Sequence, residues 1–270
     1  MNCDYGTVLI KVLIRLWNLR ITYPLLDIIL HANDVKSCFR QIKHHPDIMA
    51  AFSYIIAETL YLSCGLTFGS DFSPQSWEVC RRIAEQLATH LFDDASLVAK
   101  HRKYLDKLQW SKKLGEEATF VRAHATESHK GVLDDNGVPV NTPHNMFVDD
   151  NIYAEVYNVE RIERTCAAGI EAIFIILGES NLRERQDPIS WDKLFEMVIH
   201  FKNKVLGNYI NTRLMTIQVP KEYIDKVVKL MRDRWNSNRR SFKVKEAEML
   251  AGQLGTISNT SLWLKHLMSH

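Results

Sequence analysis

The segment Met146-Phe147-Val148-Asp149-Asp150-Asn151-Ile152-Tyr153-Ala154-Glu155-Val156 constrains the chain more than any other. Two short apolar runs flank an Asp-Asp-Asn turn, and Ile152, Ala154 and Val156 alternate with polar or amphipathic neighbours, as a half-buried strand requires. The pattern predicts a β-hairpin. Helical spacing surrounds it. Residues 76–91 place Trp77, Cys80, Ile83, Ala84, Leu87 and Leu91 on one stripe, and Val159–Leu177 places Ile162, Cys166, Ile170, Ile173 and Leu177 on another. Both read as amphipathic helices packed on one side, so the expected class is α+β.

With 46% hydrophobic and 24% charged residues, the 270-residue chain has globular composition, which excludes a fibre or a disordered tail. The net charge of +2 gives no overall sign, but the residues from Pro220 onward carry 10 basic against 5 acidic side chains. A basic C-terminal fifth on a slightly acidic body is a modest pointer to a polyanion. Five widely spaced cysteines in apolar company suggest neither a disulfide framework nor a zinc site and fit a reducing compartment. Apolar runs are short, and Thr7–Leu19 is broken by Lys11 and Arg15, which argues against a membrane span and a secretory signal. The expected location is intracellular, cytoplasmic or nuclear. Residues 92–145 turn polar and read as an exposed, partly helical insertion. Two further helical stripes, Ile224, Val227, Val228, Met231 and Trp235, then Ala247, Leu250, Ala251 and Leu254, predict a small helical C-terminal domain.

Adjacent aspartates at a turn are a routine solvent-exposed device. Chemistry there needs a third carboxylate, and Asp34 follows the apolar run Leu25–Leu30. By itself Asp34 could equally cap a helix. A strand-end aspartate beside a hairpin aspartate would present hard oxygen ligands to divalent cations, the arrangement that phosphoryl transfer uses.

These residues carry a resemblance. The segment Asp34-Val35-Lys36-Ser37-Cys38-Phe39-Arg40-Gln41-Ile42 resembles the first catalytic motif of the reverse transcriptases of retroelements. Ala51-Phe52 followed by Gly65-Leu66-Thr67-Phe68-Gly69-Ser70-Asp71-Phe72-Ser73-Pro74 is similar to the second, and Phe147-Val148-Asp149-Asp150 to the third. Val205-Leu206-Gly207 and the strand-like Leu214–Pro220 resemble the primer-grip hairpin and the start of the thumb. The matches occur in the family's order, and the final stretch looks closest to eukaryotic retrotransposon enzymes.

The resemblance implies a right-hand polymerase palm, an antiparallel sheet flanked by helices, with residual fingers over 1–33, the palm with the remaining fingers over 34–218, and a helical thumb over 219–270. It implies RNA-directed DNA synthesis with Mg2+ held by Asp34, Asp149 and the Val35 carbonyl, and with Asp150 in support. Partners would be an RNA or DNA template with its primer, deoxynucleoside triphosphates, and further domains of a larger polyprotein. Phe39, Phe68, Gly69 and Lys193 would lie at the nucleotide. Leu206, Gly207, Lys226, Lys229, Arg239 and Arg240 would lie on the template-primer. Plainer readings stand beside these. Phe39 fits a core aromatic, Gly69 a turn glycine, Lys193 a solvated lysine with Lys202 and Lys204 as rivals, and the basic residues a solvated helix face. Only 33 residues precede Asp34, so the fingers read as truncated, and Asp71 sets an acidic group within the second motif. Both leave open a nucleic-acid-binding remnant without polymerase activity.

Overall fold

Alternation at positions 152–156 forms the central strand of a small antiparallel sheet, and the two carboxylate-bearing segments pair side by side within it. The computed structural model describes residues 7–67, 69–114, 144–179, 187–235, 241–258 and 260. The elements up to Phe201 are α1 (Val8–Thr22), β1 (Ile28–Asp34), α2 (Cys38–Gln41), α3 (Pro46–Met49), β2 (Ser53–Ile56), β3 (Thr59–Leu62), α4 (Phe72–Leu91), α5 (Ser96–Lys100), α6 (Arg102–Leu105), β4 (His144–Phe147), β5 (Asp150–Val156), α7 (Val159–Leu177) and α8 (Trp191–Glu196). Beyond them lie β6 (Lys202–Val205), β7 (Asn208–Asn211), β8 (Thr216–Gln218), α9 (Lys221–Arg234) and α10 (Val244–Ser258). The class is α+β with small antiparallel sheets, and among the described residues no helix is long and apolar enough to cross a membrane.

The main sheet has the order β1-β5-β4, with Asp34 opposite Asp150, Asn33 opposite Asn151 and Phe147 opposite Asp150. One face carries Ile29, Met146 and Tyr153, which share a buried cluster with Trp77 and Ala84 of α4 and Ile162, Cys166, Ala167, Ile170 and Ile173 of α7. Residues of the opposite row, Ile28, Leu30, Ile152, Ala154 and Val156, are equally buried. Helix α1 contacts all three strands and buries Val8, Val12, Leu16 and Leu19, none of which belongs to that cluster. Glu155 ties the pieces together. It is fully buried, and Arg15 of α1 and Arg161 of α7 both pair with it, at 3.3 and 3.2 Å. Gly169 has a steric reason, since a Cβ there would meet His144 Cε1 and Tyr153 Oη at 2.8 Å, so α7 comes this close to the sheet only without a side chain at that position.

Helix α7 has the expected bounds, with Asn158 at its N-cap accepting from the Arg161 N–H. Helix α4 turns Trp77 and Ala84 of the expected stripe into the core, with Cys80 and Leu91 packed against it, but the buried face is wider than the apolar spacing implies. Glu78, Arg81 and Glu85 point inward while Ile83 is 45% exposed. Charges spaced i, i+3 and i+4 look like surface pairs in sequence, yet here they neutralise one another under cover. Within the insertion expected at 92–145, α5 and α6 are helical as expected, but the described part is not exposed throughout. Phe92, Leu97, His101, Leu105, Leu108 and Leu114 are all buried, and His101 Nε2 lies 2.7 Å from Glu171 Oε2 on α7. Polar residues alternate with these anchors, so average polarity concealed them. Residues 115–143 lie outside the described residues, and His144 and Asn145 already belong to β4.

The described residues divide into one unit ending at Phe201 and a second starting at Lys202. The sheet β6-β7-β8 lies wholly in the second unit, where its strands pair with one another. Of the first stripe expected in the C-terminal domain, Val227 is buried, whereas Ile224, Val228 and Met231 are exposed. Helix α10 packs against α9, and two short helices cannot enclose a full stripe.

Candidate functional site

Asp34 is the last residue of β1 and Asp150 the first of β5, so their cross-strand pairing sets both side chains on one face at one end of the sheet. Asp149 occupies the second position of the two-residue turn between β4 and β5. Its carbonyl accepts the Val35 N–H at 2.8 Å, which ties the turn to the residue after Asp34. As a result, one carboxylate oxygen from each of the three aspartates lies within 4.8 Å of the other two.

The electrostatics follow from this crowding. Burial pushes the Asp150 carboxyl up to about 6, and the neighbouring Asp149 and Asp34 charges add to the shift. Burial likewise raises Asp149, with Asp34 adding repulsion. Lys193 of α8 opposes them, since its Nζ donates to Asp34 Oδ1 at 2.7 Å, and that bond raises the lysine's own pKa. The ammonium side chain remains 62% exposed, which leaves it available to an incoming anion. Hard carboxylate oxygens are the preferred donors of divalent cations, and a cluster of three within 4.8 Å is consistent with such a site.

The turn itself is strained. Val148 has φ of +52°, a left-handed conformation in which a β-branched side chain crowds its own backbone at a cost on the order of 1–3 kcal/mol. Two-residue hairpin turns favour glycine at this first position. Trp77, buried on α4, donates its indole N–H to the Val148 carbonyl. Nothing in the sequence links Trp77 to the turn, beyond the general expectation that a buried indole N–H needs an acceptor.

The other expected site residues separate by location. Val35 is fully buried beside the cluster. Phe39 is 6% exposed and belongs to the apolar core cluster. Gly69 has φ of +87° with no heavy atom within 4 Å of a Cβ built there, so backbone conformation accounts for it. Phe68, Arg239 and Arg240 lie outside the described residues. Leu206 and Gly207 form the two-residue turn between β6 and β7, with φ of +47° and +79°. Lys226 and Lys229 are exposed on α9.

No protein-family model matches the sequence. No curated protein matches it either. Among solved structures, the foamy viral protease-reverse transcriptase in complex with an RNA/DNA hybrid is similar at a TM-score of 0.43 and 12% identity, over 89% of this chain. The chain spans about a quarter of that protein's length, 24%. A likeness at this level does not decide fold or function, and the functional reading rests on the aspartates.

Proposed function

We propose that the chain is the core of an RNA-directed DNA polymerase of a retroelement, transferring a deoxynucleotide to a primer 3′ hydroxyl. The observation that carries this reading is the convergence of Asp34, Asp149 and Asp150 within 4.8 Å, at the end of an antiparallel strand pair. Asp34 and Asp149 would hold Mg2+, with Asp150 in support. When bound, divalent cations supply the positive charge that lowers the pKa of a hydroxyl and neutralises phosphate oxygens. The chain's own contributions are mainly positional. The strand register fixes Asp34 against Asp150, and the turn aims Asp149 at both. Lys193, already at 2.7 Å from Asp34, would shift its ammonium toward a departing pyrophosphate and donate a proton there. Lys226 and Lys229 would contact backbone phosphates, each adding about one unit to the salt dependence of binding.

A second reading, a nucleic-acid-binding remnant, draws on the burial of Phe39 within the apolar core. Primer extension separates the two. On an RNA template with Mg2+ and deoxynucleotides, the polymerase reading expects incorporation that is abolished in Asp149→Asn. Template binding without incorporation by the wild-type chain selects the remnant.

A further inference from the structure

The strand that leads into the catalytic turn is gripped along its free edge by one stripe of α4. β4 is the outermost strand of β1-β5-β4, and in a two-residue hairpin closed by Phe147 and Asp150 the Met146 N–H and C=O point away from β5. Two α4 side chains take both groups. Arg81 donates to the Met146 carbonyl at 3.1 Å, and Glu85 Oε1 accepts the Met146 N–H at 2.6 Å. One turn of helix earlier on the same stripe, Trp77 donates to the Val148 carbonyl. The four-residue step from Trp77 to Arg81 matches the two-residue step from Val148 to Met146, Glu85 completes Met146 from the next turn, and the stripe replaces the neighbouring strand that β4 lacks.

The two Met146 contacts hold an ordinary strand. The Trp77 contact holds Val148 at φ of +52°, where the residue would relax if released, and relaxation would swing the following residue, Asp149. We infer that Trp77 is a positioning residue, whose indole N–H maintains the left-handed turn that aims the Asp149 carboxylate at Asp34. This rests on the reading of the three aspartates as a cation site.

The test uses Mn2+ as the probe, with binding followed by electron paramagnetic resonance on the full chain as wild type, Trp77→Phe, Val148→Gly and the double variant. Phenylalanine keeps the ring and removes the donor. Glycine adopts the positive φ without needing to be held. Trp77→Phe should weaken Mn2+ binding about 10-fold or more, as loss of a supporting contact does in other metal sites. In the Val148→Gly background the same substitution should cost little. That rescue separates positioning from packing, because a gap left in the core is not filled by a glycine at the turn. Wild-type affinity in Trp77→Phe, or an equal loss in both backgrounds, overturns the inference while leaving the cation site intact. Failure of the wild type to bind Mn2+ defeats the cation site and, with it, the role assigned to Trp77. Should Trp77→Phe not fold, the wild-type indole N–H resonance is followed as Mg2+ is added. A shift that saturates with the cation supports the contact, and an unmoved resonance during saturable binding overturns it.

Discussion

The first unit contains two hairpins of the same plan, and they are treated oppositely. Both β4-β5 and β2-β3 are antiparallel with two-residue turns, and neither turn has glycine where φ is positive: Val148 in one, Ala57 and Glu58 in the other. The first is sunk between helices and held by Trp77, Arg81 and Glu85. The second has all eight strand residues exposed, and its six large apolar side chains, Tyr54, Ile55, Ile56, Leu60, Tyr61 and Leu62, are 45–71% accessible. Tyr54 and Tyr61 stack on one another across the hairpin at 5.5 Å. A two-stranded ribbon without a covering layer is marginal in water. The difference teaches where strain is tolerated: the turn that must aim a carboxylate is gripped from outside, while the other turn relies on its own ladder.

The largest expected effect breaks the grip. Arg81→Met strips buried Glu85 of its ion-pair partner and leaves Glu78 with Arg82 alone, at 2.7 Å, a loss of about 3–5 kcal/mol in urea denaturation. In the outer hairpin, Ile55→Ala should change the same measurement by no more than about 0.5 kcal/mol. Equal losses at the two positions would contradict the contrast.

Acid should act on the inner sheet next. His31 of β1 is fully buried against Tyr153, its ring nitrogens lack hydrogen-bond partners among the described residues, and burial lowers its pKa to about 4. A folded-state pKa below the unfolded value means that the neutral ring's contribution is intact above pH 6.5 and is lost as the pH falls from 6.5 toward 4. The loss is on the order of 3 kcal/mol. Chemical denaturation across this range should show that slope, and His31→Phe should flatten it.

Asp150 has the opposite sign. Its carboxyl is raised to about 6, so its stabilising contribution is present below the ordinary aspartate pKa and disappears as the pH rises through 6. At pH 7 the cation-free Asp150→Asn variant should therefore be more stable than the wild type. The gain is on the order of 2 kcal/mol once partial exposure is allowed for, and it should vanish near pH 4. Melting curves with and without Mg2+ check it, since a bound cation would favour the wild type instead. The smallest effect belongs to the outer turn. Replacing Ala57 and Glu58 by Asn and Gly should stabilise that hairpin by about 1 kcal/mol, seen as slower amide exchange confined to β2 and β3.

Much of this arrangement was legible from residue order. Alternation located β5, helical periodicity located α7 to the residue, and Asp34, Asp149 and Asp150 converge as their motif positions lead one to expect. What escaped has physical causes. Hydrophobic spacing assigns charges to the surface, so it placed Trp77 and Ala84 in the core but hid the buried Glu78-Arg81-Glu85 triad. Mean polarity masked the buried anchors from Phe92 to Leu114. Phe39, whose apolar character favours the core, is found in the core cluster. The family resemblance set Lys193 at the site, whereas the contact of Trp77 with Val148 spans 71 residues and no local pattern encodes it.

The central claim is that Asp34, Asp149 and Asp150 form a divalent-cation site, and calorimetric titration of Mg2+ into the wild-type chain and Asp34→Asn tests it most directly. Saturable binding by the wild type that is lost in Asp34→Asn is the predicted result. No saturable binding, or binding that survives the substitution unchanged, would contradict it.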